Sequence, residues 1–182
     1  MPLLVDREEP MPLEEFVHSR YIDENYELCG GELVAMSPAR VSHEMVVMNI
    51  LYLFRSKLFG SPCSVFPSNL GIYFEEDDSF VMADASIICD KSKIVDEKCV
   101  RPPELVVEVL SPPTAKYCFG RKRDLYKRFG VQEYWIVDAD KKEVLVENFV
   151  QDQKILYRTK GFVKSELISE LVLSLDDIFE GV

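Results

Sequence analysis

Three charged side chains stand in apolar surroundings, where a charge is costly. Glu108 lies inside Leu105-Val106-Val107-Glu108-Val109-Leu110, a run that predicts a strand covered on both faces. A lone carboxylate there costs several kcal/mol unless it is paired, protonated or bound to a metal. Asp84 repeats the pattern within Phe80-Val81-Met82-Ala83-Asp84-Ala85-Ser86-Ile87-Ile88. Two strand-borne carboxylates supply hard oxygen donors, which suit Mg²⁺ or Mn²⁺ rather than zinc. Lys122 is the third. On a helix it shares a face with Cys118, Phe119, Leu125, Tyr126 and Phe129, whereas Arg121, Arg123, Asp124, Lys127 and Arg128 fall off that face. A lysine on an apolar stripe needs an anionic partner, and the two carboxylates are the nearest candidates. The plain alternatives are a buried salt bridge to Glu108, an Asp84 that serves a turn, and a Lys122 that snorkels to the helix edge.

These residues need elements to position them. A short acidic helix with Pro12 in its first turn points Leu13, Phe16 and Val17 inward. Gly30-Gly31 between Tyr26–Cys29 and Glu32–Met36 is a tight hairpin signal. Ser42 is the expected cap of a helix whose apolar residues Val47, Ile50, Leu51, Phe54 and Leu58 recur at helical spacing. Strands are expected at Ser64–Phe66, Leu70–Phe74, Phe80–Ile88 and Leu105–Leu110. Ser111-Pro112-Pro113-Thr114 then stops the strand and starts a helix to about Phe129, which Gly130 ends. Strands at Glu133–Val137, Val144–Phe149 and Ile155–Tyr157 complete the pattern. The expected fold class is α/β, α+β-like at the ends, with a strand–helix–strand unit at 105–137. No repeat or Gly/Ser-rich linker interrupts the chain, so residues 1–182 read as a single domain.

Composition narrows the function. The 182 residues are 47% hydrophobic and 29% charged, the profile of a globular chain and not of a disordered one. With 21 basic and 32 acidic residues the net charge is −11, which excludes passive phosphate neutralisation as the mode of binding a polyanion. A nucleic-acid role needs a local basic patch, a metal, or both. Residues 116–128 offer the patch: Lys116, Arg121, Lys122, Arg123, Lys127 and Arg128 against Asp124. Five cysteines at 29, 63, 89, 99 and 118 lack CxxC spacing, so they are expected to be unpaired buried thiols of a cytoplasmic protein. The longest apolar stretch, Met45 to Phe54, is broken by Asn49 and too short to span a bilayer, so no membrane partner is expected. There is no GxGxxG, GxxxxGK[ST] or GxSxG motif, and Val47 stands where a zinc-protease helix beginning His43-Glu44 requires its second histidine.

Taken together, LVVEVLSPPT, GRKRDLYKRFGVQEYWIVD, VMADASII and YELCGGELVAMSPARVSHE resemble the Uma-two type restriction endonuclease family, a branch of the PD-(D/E)XK nuclease superfamily. The resemblance runs from about Leu13 to Phe149. It implies a restriction-endonuclease-like mixed β-sheet flanked by helices. It further implies that Asp84, Glu108 and the Val109 carbonyl hold Mg²⁺ or Mn²⁺, and that Lys122 orients the attacking water and offsets developing charge. Glu27 matches an upstream acidic position that completes such sites, and His43 a histidine near the helix start. Two departures stand out: Ala83 replaces a proline, and Cys118 stands where the family has an acid four residues before the lysine.

The leading expectation is a Mg²⁺-dependent DNA endonuclease of restriction type, acting as a homodimer, with Arg121, Arg123, Lys127 and Arg128 contacting the nucleic acid. The rivals are a catalytically degenerate binding or assembly module of the same fold, and a hydrolase of small phosphate esters that uses the same carboxylates.

Overall fold

The computed structural model describes residues 3–4 (backbone only), 9–36, 38–111, 117–158 and 160–182. After β1 (Leu3–Leu4), helix α1 (Leu13–Val17) turns Leu13 and Phe16 into the core. β2 (Tyr26–Cys29) and β3 (Glu32–Ala35) form the expected hairpin. Gly30 and Gly31 have φ of 60° and 76°, the left-handed pair that a two-residue turn of this hand requires. Helix α2 (Val41–Lys57) buries Val46, Val47, Ile50 and Phe54. Its cap differs from expectation: Arg40, without a side-chain cap bond, precedes the helix, and Ser42 lies inside the first turn.

β4 (Ser64–Pro67) and β5 (Gly71–Phe74) follow, then β6 (Ser79–Met82) and β7 (Ala85–Ile88). The single strand expected over Phe80–Ile88 is therefore two, with Ala83-Asp84 as the link between them. β6 and β7 belong to different sheets, and an unbroken apolar run cannot reveal a chain that changes sheets. β8 (Ile94–Val95), β9 (Lys98–Cys99) and β10 (Leu105–Val109) come next. The expected Pro112-Pro113-Thr114 stop and Lys116 lie outside the described residues. A π-helical stretch, Cys118–Lys122, runs into α3 (Arg123–Phe129), which Gly130 ends at φ 94°. β11 (Glu133–Asp138), β12 (Glu143–Asn148), β13 (Gln153–Arg158), β14 (Phe162–Lys164), β15 (Val172–Ser174) and α4 (Leu175–Ile178) complete the chain.

The fold is mixed α+β. One sheet has the order β1-β3-β2-β6-β5-β9-β8, a second β13-β12-β11-β10-β7-β4, and β14 pairs with β15. In the second sheet β10 runs parallel to β11 and antiparallel to β7, so the 105–137 unit is the expected strand–helix–strand crossover. All five residues of β10 are buried. Leu105, Val107 and Val109 pack toward α2 with Ile50, Phe54 and Trp135. Val106 packs on the other face with Tyr126, Tyr134, Ile136 and Val81. Strand alternation puts Glu108 on that second face, between the sheets and under α3.

Cys63 and Cys89 correct a further expectation. They flank β4 and β7 just beyond the Ser64–Ile88 pair and form a disulfide, while Cys29, Cys99 and Cys118 remain free and buried. A separation of 26 residues carries no sequence signal of that pairing; the antiparallel register creates it.

Candidate active site

Lys122 stands at the centre of the polar cluster. The π winding adds one residue to the turn before it, so Tyr117, Cys118, Lys122, Leu125 and Tyr126 are buried while Phe119, expected on the same stripe, is exposed. The Tyr134 hydroxyl donates to the Cys118 carbonyl (3.2 Å), tying this stretch to β11. The Lys122 side chain is 1% exposed, with its Nζ 2.8 Å from Glu108 Oε1, 2.9 Å from Glu27 Oε1 and 3.0 Å from the Met82 carbonyl. An ammonium has three protons, and these three acceptors match them. The lysine thus joins β2 and β6 of one sheet to β10 of the other.

Each carboxylate is held differently. β2 and β6 pair only at Leu28–Phe80; past that point Glu27 Oε1 takes the Met82 N–H (2.7 Å) in place of a ladder bond. Glu27 is fully buried, and its Oε2 has no partner among the described residues. Glu108 Oε1 accepts from Lys122 and from the Tyr126 hydroxyl (2.8 Å), whereas Oε2 meets the Cys118 thiol at a long 3.9 Å. Asp84 is the accessible member, about one-fifth exposed. Its Oδ2 accepts the Val109 N–H (2.7 Å) and lies 3.2 Å from His43 Nε2. The β7–β10 ladder ends at Ala85–Val107, so the Asp84 side chain takes the next free amide of β10.

These contacts set the charges. Burial works against the Lys122 ammonium, but Glu108 and Glu27 outweigh it and hold the lysine protonated, with its pKa well above the usual lysine value. Burial, reinforced by the negative charges of Asp84 and Glu27, raises Glu108 despite Lys122. Burial also opposes a charged His43, yet the bond and charge of Asp84, with Glu44 nearby, raise its pKa above 6.5. Burial, then the charges of Glu108 and Glu27, pushes the Tyr126 hydroxyl well up, so it remains a neutral donor.

Asp84, Glu108, Val109, Lys122, Glu27 and His43 therefore meet in one place. Tyr126 joins them unexpectedly. Its position four residues after Lys122 reads as apolar stripe, although a buried tyrosine hydroxyl ordinarily seeks a partner. The four basic residues expected to face nucleic acid are elsewhere, and each is engaged by an acid of this chain. Arg121 pairs with Glu32 and Arg128 with Asp77. Lys127 meets Asp152 at 3.0 Å, and Arg123 grips Glu147 with two nitrogens at 2.8–2.9 Å.

Among the described residues, no three His, Cys, Asp or Glu side chains are grouped to enclose a metal ion. The donor set still fits one kind of ion. Mg²⁺ takes one or two carboxylates and keeps several waters, and Asp84 with the Glu108 Oε2 face, which neither Lys122 nor Tyr126 occupies, matches that demand. Glu27 is fully buried and already gives Oε1 to Lys122 and the Met82 N–H.

A family model described as "Uma2: Putative restriction endonuclease" matches residues 13–178. Two uncharacterized proteins of Synechocystis are similar in sequence. The first, slr1290, is 30% identical over 66% of this chain and 64% of its own length. The second, sll1609, is 25% identical over 63% of this chain and 67% of its own. The match thus spans just under two thirds of the first relative. A crystal structure of a "putative nuclease belonging to DUF820" from Anabaena variabilis superposes with a TM-score of 0.80 at 20% identity, covering 93% of this chain and 98% of that one. It has the same fold.

Proposed function

The chain belongs to the Uma2 family, described as "Putative restriction endonuclease", and on that premise we propose that it is a divalent-metal-dependent DNA endonuclease of restriction type. The observation that carries the proposal is the division of Glu108. One oxygen is saturated by Lys122 and Tyr126, while the other meets the Cys118 thiol at a long 3.9 Å, and the accessible Asp84 is close enough for its charge to act on the same carboxyl. Asp84 and Glu108, with the Val109 carbonyl as a further donor, are the residues to hold Mg²⁺ or Mn²⁺. Such an ion, when bound, activates water and neutralises charge on a phosphodiester.

The remaining chemistry is the chain's own. Lys122 keeps a fixed positive charge beside the carboxylates, where developing negative charge on phosphate is stabilised. Its three protons are engaged, so contact with a phosphate oxygen requires exchange of one acceptor. Glu27 acts through Lys122: buried and held by the Met82 N–H, it keeps the lysine charged and in position. His43 and the Val109 amide fix the Asp84 oxygen that they share, so its rotamer is set before any ion arrives.

One observation favours the second reading, a degenerate binding or assembly module. The basic face at Arg121, Arg123, Lys127 and Arg128 is neutralised internally, so gripping a phosphate backbone there would mean giving up existing ion pairs. Among the described residues no helix is long and apolar enough to cross a membrane. We place the protein in the cytoplasm with its DNA, as a homodimer.

The test is incubation with plasmid, linear duplex and single-stranded DNA plus Mg²⁺ or Mn²⁺. Cleavage that disappears in Asp84→Asn is the expected result. No cleavage of any substrate favours the binding module, hydrolysis of only small phosphate esters favours the small-molecule hydrolase, and cleavage unchanged in Asp84→Asn refutes the site.

A further inference from the structure

Helix α2 has a second apolar face that the fold leaves bare. Opposite its core side, Val41 is 77% exposed, Met48 63% and Tyr52 72%, and Phe59, just past the helix end, is 78% exposed. Met45, 36% exposed with its methyl against Gly181, and Arg55 complete the row, with the Arg55 guanidinium 5.2 Å over the Phe59 ring. Positions 41, 45, 48, 52, 55 and 59 are spaced 4, 3, 4, 3 and 4, the repeat of a coiled-coil seam. A surface helix that needs only one buried face has no use for that repeat on its outer side.

We infer that α2 packs antiparallel against α2 of a second copy of this chain, about a two-fold axis at the level of residue 50. That axis sets Val41 against the partner's Phe59, Met45 against its Arg55 and Met48 against its Tyr52. Charge selects the antiparallel sense. Glu44 lies in the first turn and Arg55 in the last, so antiparallel helices bring each copy's acid to the other's base, whereas parallel helices align like charges. The helix dipoles agree with that choice. The five apolar side chains expose on the order of 600 Å² per copy, at the upper end for a monomer's patch and near the ~800 Å² per partner of a standard interface once their polar neighbours are counted. An isologous contact of this kind closes at two copies. His43 ties the first turn of α2 to Asp84, so the two Asp84–Glu108 clusters lie toward opposite ends of the helix pair.

This inference stands apart from the nuclease reading, because it is tested by mass. In sedimentation equilibrium the full chain should weigh two protomers at micromolar concentration. Met48→Glu/Tyr52→Glu should sediment as a monomer with an unchanged circular-dichroism spectrum, since both side chains are on the surface. Glu44→Arg alone should weaken the dimer at least about tenfold, and Glu44→Arg/Arg55→Glu should restore it. A wild-type monomer up to roughly 100 µM, a dimer that survives Met48→Glu/Tyr52→Glu, or a charge swap without rescue would overturn the inference. Association only when DNA is added would show that nucleic acid, not α2, joins the copies.

Discussion

Replacing Lys122 by methionine keeps the apolar stem and removes one charge from a site with no solvent to compensate. Glu27 and Glu108 lose a partner at 2.9 and 2.8 Å, and the Met82 carbonyl a donor at 3.0 Å. Breaking a buried ion pair by removing one member costs about 3–5 kcal/mol. The lower end applies here, because Glu108 is already raised to about 7 and can take up a proton. Glu27 has less relief, since its second oxygen already lacks a partner. About 3 kcal/mol lowers the melting temperature of a chain this size by roughly 6–12 °C. Calorimetry at pH 8 without metal should show that drop, and at pH 6 a smaller one, as Glu108 then carries its own proton. Millimolar Mg²⁺ should recover most of it by supplying positive charge to Glu108, yet DNA cleavage should stay absent. A melt within about 1 °C of wild type would refute the buried-pair energetics. Cleavage at the wild-type rate would refute the role of Lys122.

Glu108 sets a pH dependence for the metal-free protein. Its folded pKa is raised from 4.5 to about 7, so its contribution is fully present below 4.5 and is lost as pH rises through about 7. Melting temperatures should fall across that window and fall less steeply in Glu108→Gln, the residual slope belonging to His43 and Glu133, which are raised in the same sense. Tyr126→Phe removes only the hydroxyl that donates to Glu108 Oε1 and should destabilise the protein by about 2 kcal/mol in urea titrations, the worth of a hydrogen bond to a charged group. Thiol titration of the unfolded, unreduced protein should count three free cysteines, 29, 99 and 118; a count of five would mean that Cys63 and Cys89 are not joined.

Local pattern determined a good deal of this protein. Gly30-Gly31 dictated a hairpin because only residues tolerant of positive φ close a two-residue turn, and helical spacing picked out the core face of α2. Apolar flanks on both sides marked β10 as buried and Glu108 as a charge in need of a partner, and the stripe around Lys122 marked the lysine that supplies it. Those are properties of a few consecutive residues, and periodicity reports them. Tertiary structure decided what meets across distance. Glu27, Met82, Glu108 and Lys122 converge because two sheets and a crossover helix come together there, and no spacing along the chain encodes that register. The same reason hides the change of sheet at Ala83-Asp84, the Cys63–Cys89 bond, and the acids that occupy Arg121, Arg123, Lys127 and Arg128. Phe119 turned outward for a subtler reason: one π turn adds a residue to the winding, and a stripe drawn with 3.6 residues per turn goes out of phase there.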